Sequence, residues 1–159
     1  ANWDVLAYHP AGKFSPYLLL KMKLMELVLH YWDIFSVLDP LYQISEKEAK
    51  LLCEIWKDPT ITNWLYTPDQ DQIEPMTLDF CFGDHQGLRI QTWRGSLNIF
   101  DRPSKENAEG ITTIETTYQD FALLITARKN IYEAADSNLI SVLGNKSNIS
   151  DFHNWFRGS

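Results

Sequence analysis

The stretch Tyr17–Leu38, YLLLKMKLMELVLHYWDIFSVL, decides the fold. Its polar residues are scattered and form no wide continuous stripe along a helix; they are Lys21, Lys23, Glu26, His30, Asp33 and Ser36. A helix that is apolar over most of its circumference is buried on several sides. The stretch therefore predicts a long buried N-terminal helix on which the other segments pack.

Signals at both ends agree with a helix. Ser15 can cap the first turn, and Pro16 falls at the first helical position, where no backbone N–H is needed. Asp39-Pro40 supplies the stop, because the residue before a proline is displaced from the helical region. The predicted helix is about 33 Å long, enough to cross a small domain or a bilayer.

A membrane span is disfavoured by charge, since each charge in the hydrocarbon costs about 2.5–3.5 kcal/mol. Four charged residues lie within the helix: Lys21, Lys23, Glu26 and Asp33. The apolar surface could instead be partly covered by a second chain, so a homodimer stays open. On this interpretation Leu24→Asp or Leu27→Asp unfolds the domain, because an unpaired charge would enter the core.

Composition favours one globular domain over residues 1–156, with 157–159 as the remnant of an expression tag. The formal net charge of −7 would repel nucleic acid, and no local run of lysine and arginine offsets it. A basic protein partner fits this charge, and so does simple solubility. The two cysteines, Cys53 and Cys81, suit a reducing compartment, and no signal peptide is recognisable, so we expect a cytoplasmic protein.

The remaining pattern predicts helices on either side of a group of strands. Ser45 and Glu48 form a capping box for a second helix over residues 46–57, and a polar loop covers 67–75. An antiparallel three-stranded meander then runs from Thr77 to Phe100, and residues 111–116 could add a fourth strand. A helix over 118–136, a short helix or extension at 139–143, a loop at 146–150 and a terminal aromatic plug complete the chain. The order indicates an α+β fold, with the C-terminal helix packed on the sheet.

Signals for catalysis are weak, and no motif assigns the chain to a family. The four histidines show no metal-ligand spacing, and no nucleophile or phosphate-binding motif is present, so we expect neither metal nor cofactor. Asp84 and His85 are adjacent and are the only candidates for a catalytic pair, although Asp-His-Gln-Gly is also typical of a hairpin turn.

A surface on the meander is the better candidate for function. One strand alternates so that Arg89, Gln91 and Trp93 share a face, with Arg94 beside them. If that face is open to solvent, an indole flanked by arginines is typical of an interaction hot spot. A charged loop follows the meander and could close over a basic partner; its acidic residues are Asp101, Glu106 and Glu109.

These observations predict a small acidic, non-catalytic protein-binding domain of the adaptor, chaperone or inhibitor/immunity type. The alternative is an enzyme or a small-ligand sensor with a pocket between the sheet and the long helix. Asp79, Asp84 or His85 would then lie at the mouth of that pocket. A pocket of about 300 Å³ or more would favour this alternative.

Overall fold

The structure, a computed structural model, describes residues 5–9, 12–62, 66, 72, 74–83, 86–103 and 110–156. Within these residues the fold is α+β, with six helices, a mixed five-stranded sheet and a two-stranded antiparallel sheet, as predicted for the fold class. The chain divides between Ile55 and Trp56 into two compact units. The expectation of a single domain over 1–156 stays a prediction.

In the first unit the long helix, α1, spans Pro16–Leu38. The Ser15 hydroxyl accepts a hydrogen bond from the backbone N–H of Leu18 at 3.2 Å, and Pro16 opens the first turn. Asp39 ends the helix in an extended conformation. Both termini lie where the capping serine and the Asp-Pro pair predict them.

Burial of α1 is confined to one stripe. Met22, Met25 and Leu29 are buried, and they repeat at the three- and four-residue spacing of a single helix face. Leu27, on another face, is 65% exposed. The reason given above for Leu27→Asp to unfold the protein is therefore wrong, because this side chain does not lie in a core.

The N-terminal segment forms a two-stranded antiparallel sheet of β1 (Ala7–His9) and β2 (Gly12–Phe14). The apolar residues of this segment, which include Val5, Leu6 and Tyr8, predict an arm with a short turn of helix that covers one end of α1. Tyr8 is instead 82% exposed, and Val5 and Leu6 are also exposed. A three-residue strand carries too few residues for a helix signal and a strand signal to be separated by periodicity.

Helix α2 spans Glu46–Trp56 and begins with the predicted capping box. The Ser45 hydroxyl accepts from the Glu48 N–H at 3.3 Å, while the Glu48 carboxylate accepts from the Ser45 N–H at 3.1 Å. The 3–4 spacing of its apolar residues predicts a single inward face, and all four residues of that face are buried: Ala49, Leu52, Cys53 and Trp56. A short helix, α3 (Pro59–Thr62), follows and is capped by Asp58.

The second unit contains the five-stranded sheet, in the order β5-β4-β3-β6-β7. Its predicted meander is confirmed: β3 (Met76–Cys81), β4 (Gly87–Trp93) and β5 (Ser96–Asp101) pair antiparallel in sequence order. Strand β6 (Thr112–Glu115) is the predicted fourth strand, but it pairs parallel with β3, on the side away from β4. The chain therefore crosses the sheet between β5 and β6, a connection that strand periodicity does not reveal.

One face of this sheet carries the apolar core. Helix α4 (Tyr118–Ile125) places Phe121 against Phe80 of β3, with ring centroids 4.7 Å apart, so the predicted packing of a C-terminal helix on the sheet is confirmed. Phe152 of α6 (Ser147–Trp155) packs on the same ring at 5.5 Å. The aromatic plug formed by Phe152, Trp155 and Phe156 is buried, as predicted.

Three C-terminal elements differ from expectation. The predicted helix over 118–136 is two helices, α4 and α5 (Ile131–Asp136), and residues 141–143 form an edge strand, β7 (Ser141–Leu143). Helix α6 begins inside the predicted loop at 146–150. The Asn145 carboxamide accepts from the Ser147 N–H at 3.0 Å and so takes the place of a conventional cap.

The break between α4 and α5 lies at Ala127, whose φ is 53°. The Arg128 N–H donates to the Leu123 carbonyl at 2.8 Å and the Ala127 N–H to the Leu124 carbonyl at 3.0 Å, the two bonds of a Schellman motif. Glycine is the preferred residue at this left-handed position, because a Cβ there is strained. In this chain the position is occupied by Ala127, whose backbone is therefore strained.

Replacing Ala127 by glycine should therefore stabilise the protein by about 0.5–1 kcal/mol, since relief of strain exceeds the added chain entropy. The melting temperature should rise by about 2–4 °C in calorimetry. Asn138 is the control, because it occupies the equivalent position after α5 with φ 57° and asparagine tolerates that conformation. A melting temperature that falls in Ala127→Gly while Asn138→Gly is neutral would contradict the strain.

Parts of the sequence interpretation concern residues outside the described ranges. These include most of the 67–75 loop, the Asp84-His85 turn, Glu106 and Glu109, and the suspected tag at 157–159. Among the helices that the structure does describe, none combines the length and the apolar character needed to cross a bilayer.

Candidate protein-binding surface

The turn between β4 and β5 presents the candidate surface. Arg94 and Gly95 have φ angles of 45° and 83°, and they join Trp93 to Ser96, which face each other across the strands. Two positive φ values in a two-residue loop are typical of a type I′ hairpin, whose twist matches that of the strands. The Ser96 hydroxyl donates to the Trp93 carbonyl at 2.7 Å, so the tip is held by its own hydrogen bond.

Trp93 and Arg94 are presented together at this tip. The Trp93 side chain is 45% exposed, and the Arg94 guanidinium lies over its ring, 5.5 Å from the centroid. This distance is within the range of a cation–π contact, which holds both side chains in one arrangement. Gln91, two residues earlier on the same strand face, is also exposed. Three of the predicted binding residues thus lie side by side, although their binding role stays a prediction.

Arg89 differs from the expectation that it is exposed, because it is only 5% accessible. Its Nε donates to Oδ1 of Asp79 at 2.7 Å, and its Nη2 donates to Oδ2 of the same carboxylate at 3.0 Å. Asp79 lies opposite Arg89 in the β3–β4 register. Arg89 therefore lies on the same strand face as Gln91 and Trp93, but it is buried against Asp79 and does not itself form the exposed contact.

A second arginine completes the cluster around Asp79. Arg102 lies just after β5, and its side-chain Nε donates to Oδ2 of Asp79 at 2.9 Å. The backbone N–H of Arg102 donates to the Gly87 carbonyl. Asp79 is fully buried, so two guanidinium groups neutralise a carboxylate withdrawn from water. We call Asp79, Arg89 and Arg102 the buried charge cluster. It connects three consecutive strands of the meander at the face that carries Trp93.

Sequence reasoning overlooked this cluster, although part of its signal was present. Asp79 and Arg89 fall on adjacent predicted strands separated by a predicted turn, and opposite charges directly across an antiparallel pair attract. The pair could have been found by writing out the register. Arg102 gave no such signal, because it follows the last strand residue and its direction depends on the turn of the chain.

Burial of Asp79 also corrects one version of the enzyme alternative, in which this carboxylate lies at the mouth of a pocket. The Asp79 carboxylate is fully buried and accepts three hydrogen bonds from arginines, so its role is structural. Asp84 and His85, the other candidates, lie outside the described residues. Within the described part of the chain, no three His, Cys, Asp or Glu side chains are grouped so that they could hold a metal ion.

Asp101, the described member of the predicted acidic loop residues, ends β5. Its side chain is 79% exposed, and its Oδ1 accepts from the Lys57 ammonium at 2.6 Å. An exposed ion pair of this kind contributes little stability. The role of Asp101 in binding a basic partner stays a prediction.

Comparisons with known proteins found distantly similar structures but no family. No protein-family model and no curated protein matches the chain. Among solved structures it is similar to the sec-alkylsulfatase Pisa1 from Pseudomonas sp., with 14% identity, a TM-score of 0.47, and coverage of 87% of this chain and 30% of that one. A double mutant of the sec-alkyl sulfatase PisA1 gives 12% identity, a TM-score of 0.45, and coverage of 89% and 30%.

A third similar structure is described as the UbiJ-SCP2 ubiquinone synthesis protein, with 12% identity, a TM-score of 0.46, and coverage of 66% of this chain and 88% of that one. The chain spans less than a third of the length of the alkylsulfatases. Likeness of this degree identifies neither a family nor an activity, so function has to be argued from the surfaces of the chain itself.

Neither cysteine offers a reactive thiol. Cys53 and Cys81 are both buried, and they form no disulfide with each other. Burial raises the pKa of the Cys81 thiol, and the neighbouring Arg102 guanidinium offsets this only in part. A thiol kept protonated at neutral pH is a poor nucleophile.

The second unit also contains a pocket of about 370 Å³, between the α4–α5 connection and α6. Its wall is mixed, with apolar side chains such as Leu124 and Phe152 and the polar groups of Lys129, Asn130 and His153. Lys129 is already paired with Asp120 at 2.5 Å. The volume exceeds about 300 Å³, but no residue of α1 or of the sheet lines this pocket, so it is not the pocket predicted between the sheet and the long helix. Its volume favours a small-ligand site at a different place, beside the α4–α5 connection.

Proposed function

We propose that this chain is a non-catalytic protein-binding domain that engages its partner through the tip of the β4–β5 hairpin. The observation that carries the proposal is the exposed Trp93–Arg94 pair on a rigid turn. Tryptophan and arginine are the residue types that contribute most to binding energy at protein interfaces. Here they are adjacent and already in contact.

The rigidity of the tip favours affinity. A partner that binds a mobile side chain must first order it, at a cost of about 0.5–1.5 kcal/mol for each side chain. The positive-φ turn, the Ser96 hydrogen bond and the cation–π contact hold Trp93 and Arg94 before any partner arrives. The buried charge cluster connects the same strands on the same face, and its Arg89 lies four residues before Trp93 along β4.

The net charge indicates the chemistry of the partner. A chain with a formal charge of −7 attracts basic proteins over a distance, and Asp101 places an exposed carboxylate at the far end of β5. We therefore propose a basic partner, reached in an adaptor, chaperone or inhibitor/immunity role. Its association should weaken as salt increases, because exposed charges are screened beyond about 10 Å at 0.1 M salt.

Replacement of Trp93 by alanine should test this directly. The half-exposed indole contributes little to the core, so the melting temperature should stay within a few degrees of wild type. Binding to a basic partner, isolated by affinity capture and confirmed with purified protein, should fall at least about 30-fold, the loss expected for a hot spot of 2 kcal/mol.

Tyr132→Ala is the matched control, because Tyr132 is an aromatic residue of the same unit with similar exposure, 43%. It should bind like wild type. Equal binding by Trp93→Ala and wild type would refute the hairpin as the site. A large drop in the melting temperature of Trp93→Ala would instead show that the indole is structural.

The small-ligand alternative makes a different prediction about the same variants. A compound that fills the pocket beside His153 would raise the melting temperature of wild type and Trp93→Ala equally, since binding to the folded state stabilises it. The hairpin and the pocket can thus be separated in one thermal-shift series.

A further inference from the structure

Helix α1 carries two apolar stripes, and only one of them is covered. The buried stripe contains Met22, Met25 and Leu29. The other, which we call the exposed seam, lies on the opposite side of the helix and consists of Leu20, Leu24, Leu27, Tyr31, Ile34 and Leu38. Five of these side chains are between 47% and 74% exposed, and Leu24 is half-buried. A continuous apolar stripe of this length marks an interaction surface.

The spacing of the exposed seam specifies the kind of surface that covers it. Successive residues are alternately four and three positions apart, so that Leu20, Leu27 and Ile34 recur every seven residues, as do Leu24, Tyr31 and Leu38. This is a heptad pattern, with two positions in seven residues. A 3.5-residue repeat keeps an apolar seam facing a second helix in a left-handed pair. The side chains then interlock with a helix of the same repeat, whereas a flat surface would not require this regularity.

We propose that the exposed seam is covered by α1 of a second copy of this chain, packed antiparallel across a twofold axis beside Val28 and His30. In this register Leu27 of one copy meets Tyr31 of the other. Leu24 then meets Ile34, and Leu20 meets Leu38. All six seam residues find an apolar partner in the other copy, because the repeat is symmetric about the middle of the helix.

Charge favours the antiparallel direction. The first half of α1 contains Lys21, Lys23 and Glu26, of which Lys23 and Glu26 pair with each other at 2.6 Å, so this half has a net positive charge. Asp33 lies in the second half, and Asp39 follows it. Antiparallel helices bring the basic half of each copy beside the acidic half of the other, and their dipoles also run in opposite directions. A parallel pair would place the lysines of both copies together.

Part of the exposed seam is already ordered. The Tyr31 ring stacks on Phe35 with centroids 4.1 Å apart and lies 5.8 Å from the Tyr42 ring. Its orientation is therefore set before a second copy arrives, which lowers the entropy lost on association. Tyr31 and Leu27 form the central layer of the proposed pair. The fixed orientation of the Tyr31 ring therefore lies at the centre of the interface.

Sedimentation velocity of the intact chain tests the dimer. At high micromolar concentration wild type should sediment with twice the chain mass of 18.5 kDa. Leu27→Asp places a charge in the central layer of both copies, and its dissociation constant should rise by at least about 100-fold. Leu51→Asp is the control, because Leu51 is 41% exposed on α2 and lies off the seam. It should remain a dimer.

Circular dichroism should show the same helix content in all three proteins. A monomeric wild type at high micromolar concentration would overturn the proposal. If that monomer floated with anionic phospholipid vesicles, the seam would bind a membrane surface and not a second copy. A Leu27→Asp variant that is still dimeric would overturn it equally. Trp93→Ala should stay dimeric, so loss of the hairpin site and loss of the dimer are distinguishable.

Cross-linking tests the direction. His30→Cys lies beside the proposed axis and should form dimers with a short bis-maleimide. Leu38→Cys should not, because the two copies of that position would be about 27 Å apart along the helices. Cross-linking of both variants would indicate a parallel pair and refute the antiparallel register.

Discussion

Replacing Asp79 by asparagine should cost about 3–5 kcal/mol of folding stability, because it leaves the buried Arg89 guanidinium without its counter-charge. Arg89 and Arg102 together direct three N–H groups at the carboxylate. Asparagine keeps the shape but presents one acceptor oxygen and an NH₂ group that cannot accept from them. The uncompensated charge would lie on β4, which pairs with both β3 and β5, so all three strands of the meander should be affected.

Urea denaturation followed by tryptophan fluorescence would measure this loss. Asp101→Asn is the matched control: its carboxylate also pairs with a cation, Lys57, but is 79% exposed, and its removal should cost no more than about 1 kcal/mol. If the two variants lost stability equally, burial would not be what makes the cluster important.

Replacing Leu29 by aspartate should unfold the first unit. Leu29 is 4% exposed, and a carboxylate at that position would be buried without a partner, at a cost of several kcal/mol. Leu27→Asp, two residues away, should keep its helix, since its side chain reaches solvent in the single chain. These two variants introduce the same charge into the same helix and differ only in the stripe they occupy.

Far-UV circular dichroism at low micromolar concentration, where association is minimised, would compare the two. We expect Leu29→Asp to lose helix signal and the cooperative transition of the first unit, and Leu27→Asp to retain both. If Leu27→Asp lost its helix signal and Leu29→Asp kept it, the stripe of Leu27 would be the buried one and that of Leu29 the exposed one. Equal loss in both variants would indicate that α1 is stable only as a dimer.

Elements that depend on neighbouring residues could be read from the sequence. Ser15 and Pro16 determine where α1 begins, and the Ser45–Glu48 box determines where α2 begins, because a cap bonds to backbone groups within one turn. The three-stranded meander followed from alternation, since successive strands joined by short connections pair with each other. The presence of Trp93 and Gln91 on one strand face followed from the same period of two.

Other features depended on which surfaces meet, and only the tertiary structure decided them. Arg89 and Trp93 have the same strand parity, yet one is buried by Asp79 and Arg102 and the other is exposed. Strand β6 is parallel to β3 because the chain crosses the sheet between β5 and β6. This crossing depends on contacts between residues far apart in the sequence. The two stripes of α1 are both apolar in sequence. Periodicity reveals that a helix has two faces to cover, but the burial of Leu29 and the exposure of Leu27 depend on which face the rest of the chain reaches.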